Sequence, residues 1–390
     1  MDDLARRWRP EFPILERTTY MVSHSLGAMP RGAAEALAQF AEAWGSRGIR
    51  AWAEGWWDLP RATGDLLAPL VGAAPGTVVM QQNVTIALGI LLSALDFRPP
   101  RDRLLLADVE FPTTLYLCQA HVRRGIRVEV VKSEDGLTYP TERVLEALDE
   151  TTAALVVSHA LYKTGALVDV PALAARAQQA GALVVLDAYQ SVGVLPVDVG
   201  RLGVDALVGG SVKWLCGGPG AGYLWVRPEL VERLEPVLTG WAAHATPFAF
   251  DPPPTRYAAD HRRFLTGTPA VAPLYAARPG YEIVGAVGVG AIRAKSRRQT
   301  QRLLEAARAR GYAIRSPADP EARGGVVVVD PPHAAEVAHE LEARQVLVDH
   351  RPGAGIRIAP HFYSTDEECD TVIGTIDAIL ADGSWRRHAR

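Results

Sequence analysis

The sequence predicts an α/β fold: a mostly parallel sheet covered by helices on both faces, followed by a small C-terminal α/β domain. Three observations predict it. Between residues 77 and 226, seven short apolar runs alternate with segments of helical spacing, the pattern of strand–helix–strand crossover units. Several of the runs are continuously apolar, as strands buried on both faces are. The chain has 390 residues, more than one typical core, which implies a large domain and a smaller one.

Taken in order, RGAAEALAQFAEAWG (31–45) and DLPRATGDLLAPLVGA (58–73) read as amphipathic helices. The predicted strands are TVVMQQ, RLLLAD, RVEVVK, AALVVS, ALVVLD, ALVGG and GYLWV. Helical spacing falls around 85–95, 113–124, 140–148 and 171–180. Residues 241–281 are rich in Pro, Ala and Thr with little periodicity, and read as a long excursion. A helix over 289–310 leads into GGVVVVD, HAAEVAHELEA, VLVDH and GIRIAP, the alternation expected of the small domain.

The composition, 48% hydrophobic and 22% charged, is that of a globular protein. A net charge of −3 argues against a nucleic-acid or membrane surface. No run approaches 18 apolar residues, and MDDLARRWRPEF lacks the apolar stretch of a secretory signal. Cys118, Cys216 and Cys369 are far apart with no CxxC, so neither a disulfide framework nor a metal site is expected, and a cytoplasmic location fits. Only four of the basic residues are lysines: Lys132, Lys163, Lys213 and Lys295. Chemistry that needs a primary amine has four candidates.

In parallel sheets ligands sit beyond the carboxyl ends of the strands. Those ends carry Asn83–Thr85, Glu110–Thr113, His159–Lys163, Asp187–Gln190 and Ser211–Lys213. Lys213 lies in GGSVKWLCGGPGAG, between an apolar strand and a glycine-rich turn. It is either a nucleophile made reactive by partial burial or a structural lysine at a strand end. Asp187 closes ALVVLD; it either pairs with a protonated heterocycle or caps the next segment. Val84 and Thr85 lie where a strand gives way to a helix, a place that suits a phosphate as well as an ordinary cap. Phe111 is either a flat face for an aromatic ligand or a core ring. Arg357 alternates with Ile356 and Ile358, so it is expected on the opposite face, as a carboxylate-binding fork or a surface residue. GGPGAG leads into a strand instead of a helix, which argues against dinucleotide binding.

In their order, phosphate turn, aromatic, Asp and Lys resemble fold type I enzymes that use pyridoxal 5'-phosphate (PLP), in the class V aminotransferase group. Within it the chain is most similar to the kynureninases. The resemblance runs from YMVSHSLGAMP through GIRAWAEGWWDLP, EFPTTLY, SHALYKTGALVDV, LPVDV, SVKWLCGGPGAG, LTGWAAH, RFLTGTPAV and RAKS to GIRIAPHFYS. It implies an N-terminal segment (1–45) packing on the small domain, a large PLP-binding domain (46–284) with a mostly parallel seven-stranded sheet, and a small domain (285–390). It implies that Lys213 forms the Schiff base with PLP and moves the Cα proton, that Asp187 binds the pyridine nitrogen, and that Phe111 stacks on the ring. Val84 and Thr85 bind phosphate, Gln190 bonds the 3'-oxygen, and Thr113 and Ser211 are further cofactor contacts. Trp241 and Thr268 reach in from the second subunit of a homodimer. Arg357 holds the α-carboxylate of an amino-acid substrate, and Ser25 and Trp52 line its side-chain pocket.

Four positions depart from the kynureninase pattern. Val212 stands where a tyrosine usually precedes the lysine, and Gln190 where a histidine is usual. SHSLG replaces GNSLG, placing His24 for Asn, and GWAAH places Ala242 and Ala243 for an aromatic and a glycine. Val212 cannot donate a proton, and Gln190 cannot titrate near neutrality. The implied activity is hydrolytic Cβ–Cγ cleavage of L-kynurenine or a related amino acid. The alternatives are a class V aminotransferase, a β/γ-lyase of the desulfurase kind, or a PLP-binding regulator without turnover.

Overall fold

The computed structural model describes residues 3–389. Its strands are β1 (Thr19–Tyr20), β2 (Val78–Gln81), β3 (Arg103–Ala107), β4 (Arg127–Val131), β5 (Thr152–Ser158), β6 (Leu183–Asp187), β7 (Ala206–Gly210), β8 (Gly222–Val226), β9 (Ala313–Ile314), β10 (Val327–Asp330), β11 (Val346–Leu347), β12 (Asp349–Arg351) and β13 (Gly355–Ile358).

The seven apolar runs form one seven-stranded sheet in the order β2-β8-β7-β6-β5-β3-β4. β3–β4, β3–β5, β5–β6 and β6–β7 pair in parallel, and β8 runs antiparallel to both β7 and β2. Alternate residues of each strand enter separate cores. Leu105, Leu155, Val157 and Leu186 face one side; Leu104, Leu106, Val156 and Val185 face the other, under helices Val84–Ser93 and Pro112–Ala120. Both faces being covered, the inner strands are almost continuously apolar, while the edge strand β4 carries Glu129 in its middle. The chain order reverses between β5 and β3, which opens a crevice at the carboxyl ends of these strands.

A second sheet, β12-β13-β10-β9, is antiparallel and has its own core, closed by helices Val289–Ala309, Ala334–Ala343 and Asp366–Asp382. β1 pairs with β11 in parallel, tying the N-terminal segment to residues 346–347. Among the described residues, no helix is long and apolar enough to cross a membrane.

Two expectations need correction. The excursion over 241–281 ends in a helix, Val271–Val287, that carries Pro279 inside it and buries Leu274, Ala277 and Tyr281. Its Pro, Gly and Ala content hid a helix that packing stabilises. Arg357 does share a face opposite Ile356 and Ile358, but that face is covered: Arg357 is buried, not surface-exposed.

Candidate active site

Lys213 follows β7 and its amine sits between aromatic faces, 4.4 Å from the ring centre of Tyr189 and 5.6 Å from that of Phe111. Burial pulls the amine well below the ordinary lysine range; Asp187 raises it and Arg357 lowers it further. The lysine loop is clamped from the N-terminal side. Gly27 N–H donates to the Val212 carbonyl at 2.8 Å, and a Cβ on Gly27 would lie 2.1 Å from the Lys213 carbonyl oxygen. Only glycine permits this approach, which fixes SHSLG beneath the lysine.

Asp187, at the end of β6, is buried. It accepts from the Tyr189 amide at 2.9 Å and from the Thr114 hydroxyl. Burial raises its pKa against these bonds and Lys213, so a cationic partner beside it is favoured. Phe111 keeps 40% of its surface exposed, unusual for a phenylalanine beside a core, and Tyr162 packs edge-on against it at 5.1 Å. The Asn83 side chain caps helix Val84–Ser93 by accepting from Ile86 N–H at 3.0 Å, and the Val84 and Thr85 amides have no partner among the described residues. Gly222 lets this helix start sit on β8, because a Cβ there would lie 2.6 Å from the Asn83 backbone.

Gln190 is held at both ends. Its amide nitrogen donates to the His24 carbonyl at 3.2 Å, and its oxygen accepts from the Trp214 indole at 3.1 Å. One amide hydrogen remains for a ligand. Ser211 donates to the Ala221 carbonyl at 2.6 Å and also pairs with the Tyr281 hydroxyl, so its proton is engaged within the protein. Thr113 is half-buried at the start of helix Pro112–Ala120; it is the next residue, Thr114, that reaches Asp187.

Arg357 is not an open fork. Its Nε and Nη2 donate to the two oxygens of Asp349 at 2.7 and 2.5 Å, Nη2 also reaches Ser25 Oγ at 3.1 Å, and Nη1 donates to the Tyr162 carbonyl at 2.6 Å. Ser25 donates to Asp349 at 2.5 Å and His24 Nε2 lies 3.1 Å from it. Burial, with Arg357 beside it, pulls His24 down to about 4 against the pull of Asp349, so the ring is neutral and Nε2 is the donor. Sequence reasoning missed Asp349, Thr114 and Tyr189.

Trp52, Trp241 and Thr268 gather elsewhere. Trp52 lies in a widened helical turn closed by Trp57 N–H on the Trp52 carbonyl at 3.2 Å, with Gly55 at φ 141°. Trp52 and Thr268 share a cleft of about 540 Å³ with Trp44 and Ile49. Trp241 packs on Trp57 at 4.6 Å and on Phe248 at 5.7 Å. Among the described residues none of the three shares a hydrogen bond, ion pair or ring contact with Lys213 or Asp187.

A further buried acid stands behind Asp187. Glu110 accepts from Ser158 N–H at 3.1 Å and from the Ser158 hydroxyl; burial raises it to about 8, with Asp187 adding to the rise. The folded state therefore holds this proton well above the unfolded carboxylate pKa, so stability falls as pH climbs from about 4.5 through 8. Glu110→Gln is expected to gain on the wild type by on the order of 2 kcal/mol between pH 5 and pH 8, read from denaturant midpoints at both pH values. An equal difference at the two would contradict it.

An amine, a buried carboxylate, an exposed aromatic face and a helix start with free amides are complementary, in that order, to the aldehyde, pyridinium, ring and phosphate of PLP. The residues fit this cofactor, and they define a fold type I PLP-dependent enzyme. The chain belongs to the class V aminotransferase family: residues 32–369 match Aminotransferase class-V. It is 33% identical over 403 residues to a kynureninase of Burkholderia pseudomallei (strain K96243), spanning 99% of this chain and 94% of that protein. It is 32% identical over 395 residues to a kynureninase of Pseudomonas fluorescens, spanning 97% and 92%. Among solved structures, the apo cysteine desulfurase of Thermococcus onnurineus NA1 superposes with a TM-score of 0.86 at 21% identity, covering 97% of this chain and 98% of that one. A C-DES mutant carrying glycine covalently linked to its PLP cofactor superposes at 0.85 and 23% identity, covering 94% and 98%. The structural likeness establishes the fold, and the cofactor is PLP.

Proposed function

We propose that the protein hydrolyses the Cβ–Cγ bond of L-kynurenine or a closely related γ-keto amino acid. The observation that carries this reading is the full-length similarity to kynureninases in a chain that retains Lys213 beside Asp187. PLP, when bound, supplies an electron sink for the substrate's α-carbon. Lys213 Nζ takes the Cα proton, its lowered basicity keeping the free amine available near neutrality. Asp187 keeps the ring nitrogen protonated. Phe111 covers the ring and excludes water from it, and the Val84 and Thr85 amides hold the phosphate. Water adds to the side-chain carbonyl; rupture of Cβ–Cγ leaves the aromatic acid, and a returned proton completes alanine.

L-kynurenine and 3-hydroxy-L-kynurenine are expected to release anthranilate and 3-hydroxyanthranilate, followed by their fluorescence. Val212→Tyr is expected to raise the rate several-fold by restoring a phenolic donor next to Lys213. No aromatic acid from either compound would reject the hydrolase. Val212 and Gln190 favour the second reading, an aminotransferase or β/γ-lyase, in which case the same incubations yield a keto acid or an expelled substituent.

The two separate clusters also support a homodimer with shared sites, in which Trp52, Trp241 and Thr268 of one subunit complete the Lys213 site of the other. Exposed Trp44, Ile49, Phe248 and Phe250 surround them and provide an apolar face to bury. Mixing a Lys213→Ala chain with a Thr268→Ala chain through refolding is expected to restore about a quarter of wild-type activity, since half the dimers then carry one intact site. No recovery would argue for sites confined to one subunit.

A further inference from the structure

We propose that Tyr189 is a further cofactor-binding residue of the Lys213 site: its hydroxyl donates a hydrogen bond to the phosphate of PLP, beside the free amides of Val84 and Thr85. The proposal rests on the PLP site and not on the reaction proposed for it.

Three strand ends set it up. Asp187 closes β6, Gly210 closes β7 and Gly222 opens β8. Residues two apart share a face of a strand. Val185, Val208 and Leu224 all belong to the core under helix Val84–Ser93, so Asp187, Gly210 and Gly222 point to that face too. Gly210 and Gly222 lie directly across from each other in the β7–β8 pair. A Cβ on Gly210 would lie 2.7 Å from the Tyr189 hydroxyl oxygen, and a Cβ on Gly222 would lie 2.6 Å from the Asn83 backbone. Positions paired in this way are about 5 Å apart at Cβ. The Tyr189 hydroxyl and the start of helix Val84–Ser93 are therefore neighbours over one face of the sheet, and the two glycines clear the floor beneath them.

The tyrosine reaches there from the reactive centre. Its amide donates to Asp187 at 2.9 Å, and its ring face meets the Lys213 amine at 4.4 Å. One side chain thus runs from the groups that match the pyridine nitrogen and the aldehyde to the helix start that matches the phosphate. Its hydroxyl is uncommitted: among the described residues, Tyr189 makes its hydrogen bond through the amide alone. The ring is half-buried, and the hydroxyl is not sealed in as the unpartnered Tyr223 hydroxyl is. Burial, with Asp187 adding to it, pushes the phenol up to about 12, so it remains a donor at neutral pH. The Ser211 hydroxyl at the same edge is spent on Ala221 and Tyr281, and Val212 has none.

The test is titration of the cofactor-free protein with PLP and with pyridoxal, which has the same ring and aldehyde and no phosphate, followed by the visible band of the lysine-bound form. Tyr189→Phe keeps the ring and removes the hydroxyl. It is expected to weaken PLP about tenfold, a loss typical of a hydrogen bond to a charged group, and to leave pyridoxal unchanged. Inorganic phosphate, added as a competitor of PLP, should weaken by a similar factor. The unfolding midpoint of the cofactor-free protein should not move, because the hydroxyl has no partner there to lose. An equal loss of PLP and pyridoxal would reduce Tyr189 to a wall for the ring and overturn the proposal, as would no loss of either. Binding is read without turnover, so a failure to cleave kynurenine rejects the proposed reaction and leaves this result standing.

Discussion

Replacing Lys213 by alanine is expected to remove the visible absorption band of the lysine-bound cofactor and to lower turnover by ~10³-fold or more. In the proposed reading one side chain carries two tasks, the covalent hold on PLP and the Cα proton transfer. None of the other three lysines can substitute. Lys295 is buried and donates to the Phe362 carbonyl, Lys163 is aimed at the Gly136 carbonyl, and Lys132 is paired with Asp108. The amine meets mainly aromatic faces and, among the described residues, makes no tight ion pair, so its loss should leave the fold intact, which the unfolding midpoint of the cofactor-free protein checks. A variant that retains the band would place the Schiff base elsewhere and reject the site.

Asp349→Ala is expected to destabilise the protein by about 3–5 kcal/mol, the cost of leaving a buried guanidinium without its carboxylate. Arg357 has 3% of its side chain exposed, so water cannot replace Asp349. Burial pushes Asp349 up, but hydrogen bonds from His24 and Arg357, and their charge, hold its pKa far below the usual carboxylate range. A depressed folded-state pKa gives stability that is fully present above the unfolded value, about 3.9, and is lost only as pH falls below it. The penalty should therefore be constant from pH 5 to pH 8 and shrink in acid. Denaturant melts across that range measure it. Asp349→Asn, which still accepts one bond from Arg357, should cost less, and an alanine penalty under about 1 kcal/mol would mean that Arg357 finds solvent.

The strands of the large sheet were legible because each is a short apolar run between turns, and burial on both faces leaves little polar interruption to confuse the reading. The same holds for β10 and β13. Helix Asp366–Asp382 carried a signal that was readable but unused: Thr365 and Glu368 form a capping box at its start. Helix Val271–Val287 carried none, because a proline and glycines mask its period and its stability comes from packing on residues 31–47. β1 and β11 are two-residue strands 327 positions apart, and no local pattern reports such a pairing.

For the site, the sequence by itself determined the residue types and their order at the strand ends: Thr85, Phe111, Asp187 and Lys213. That follows from topology, since parallel strands deliver their carboxyl ends to one edge. Only the tertiary structure decided which groups are free to act. Arg357 is occupied by Asp349 through cross-strand register, Ser211 spends its proton on Ala221, and Tyr189 stands over the lysine amine. Hydrogen-bond saturation and burial depend on what packs against a residue from distant parts of the chain, and sequence spacing does not contain that information.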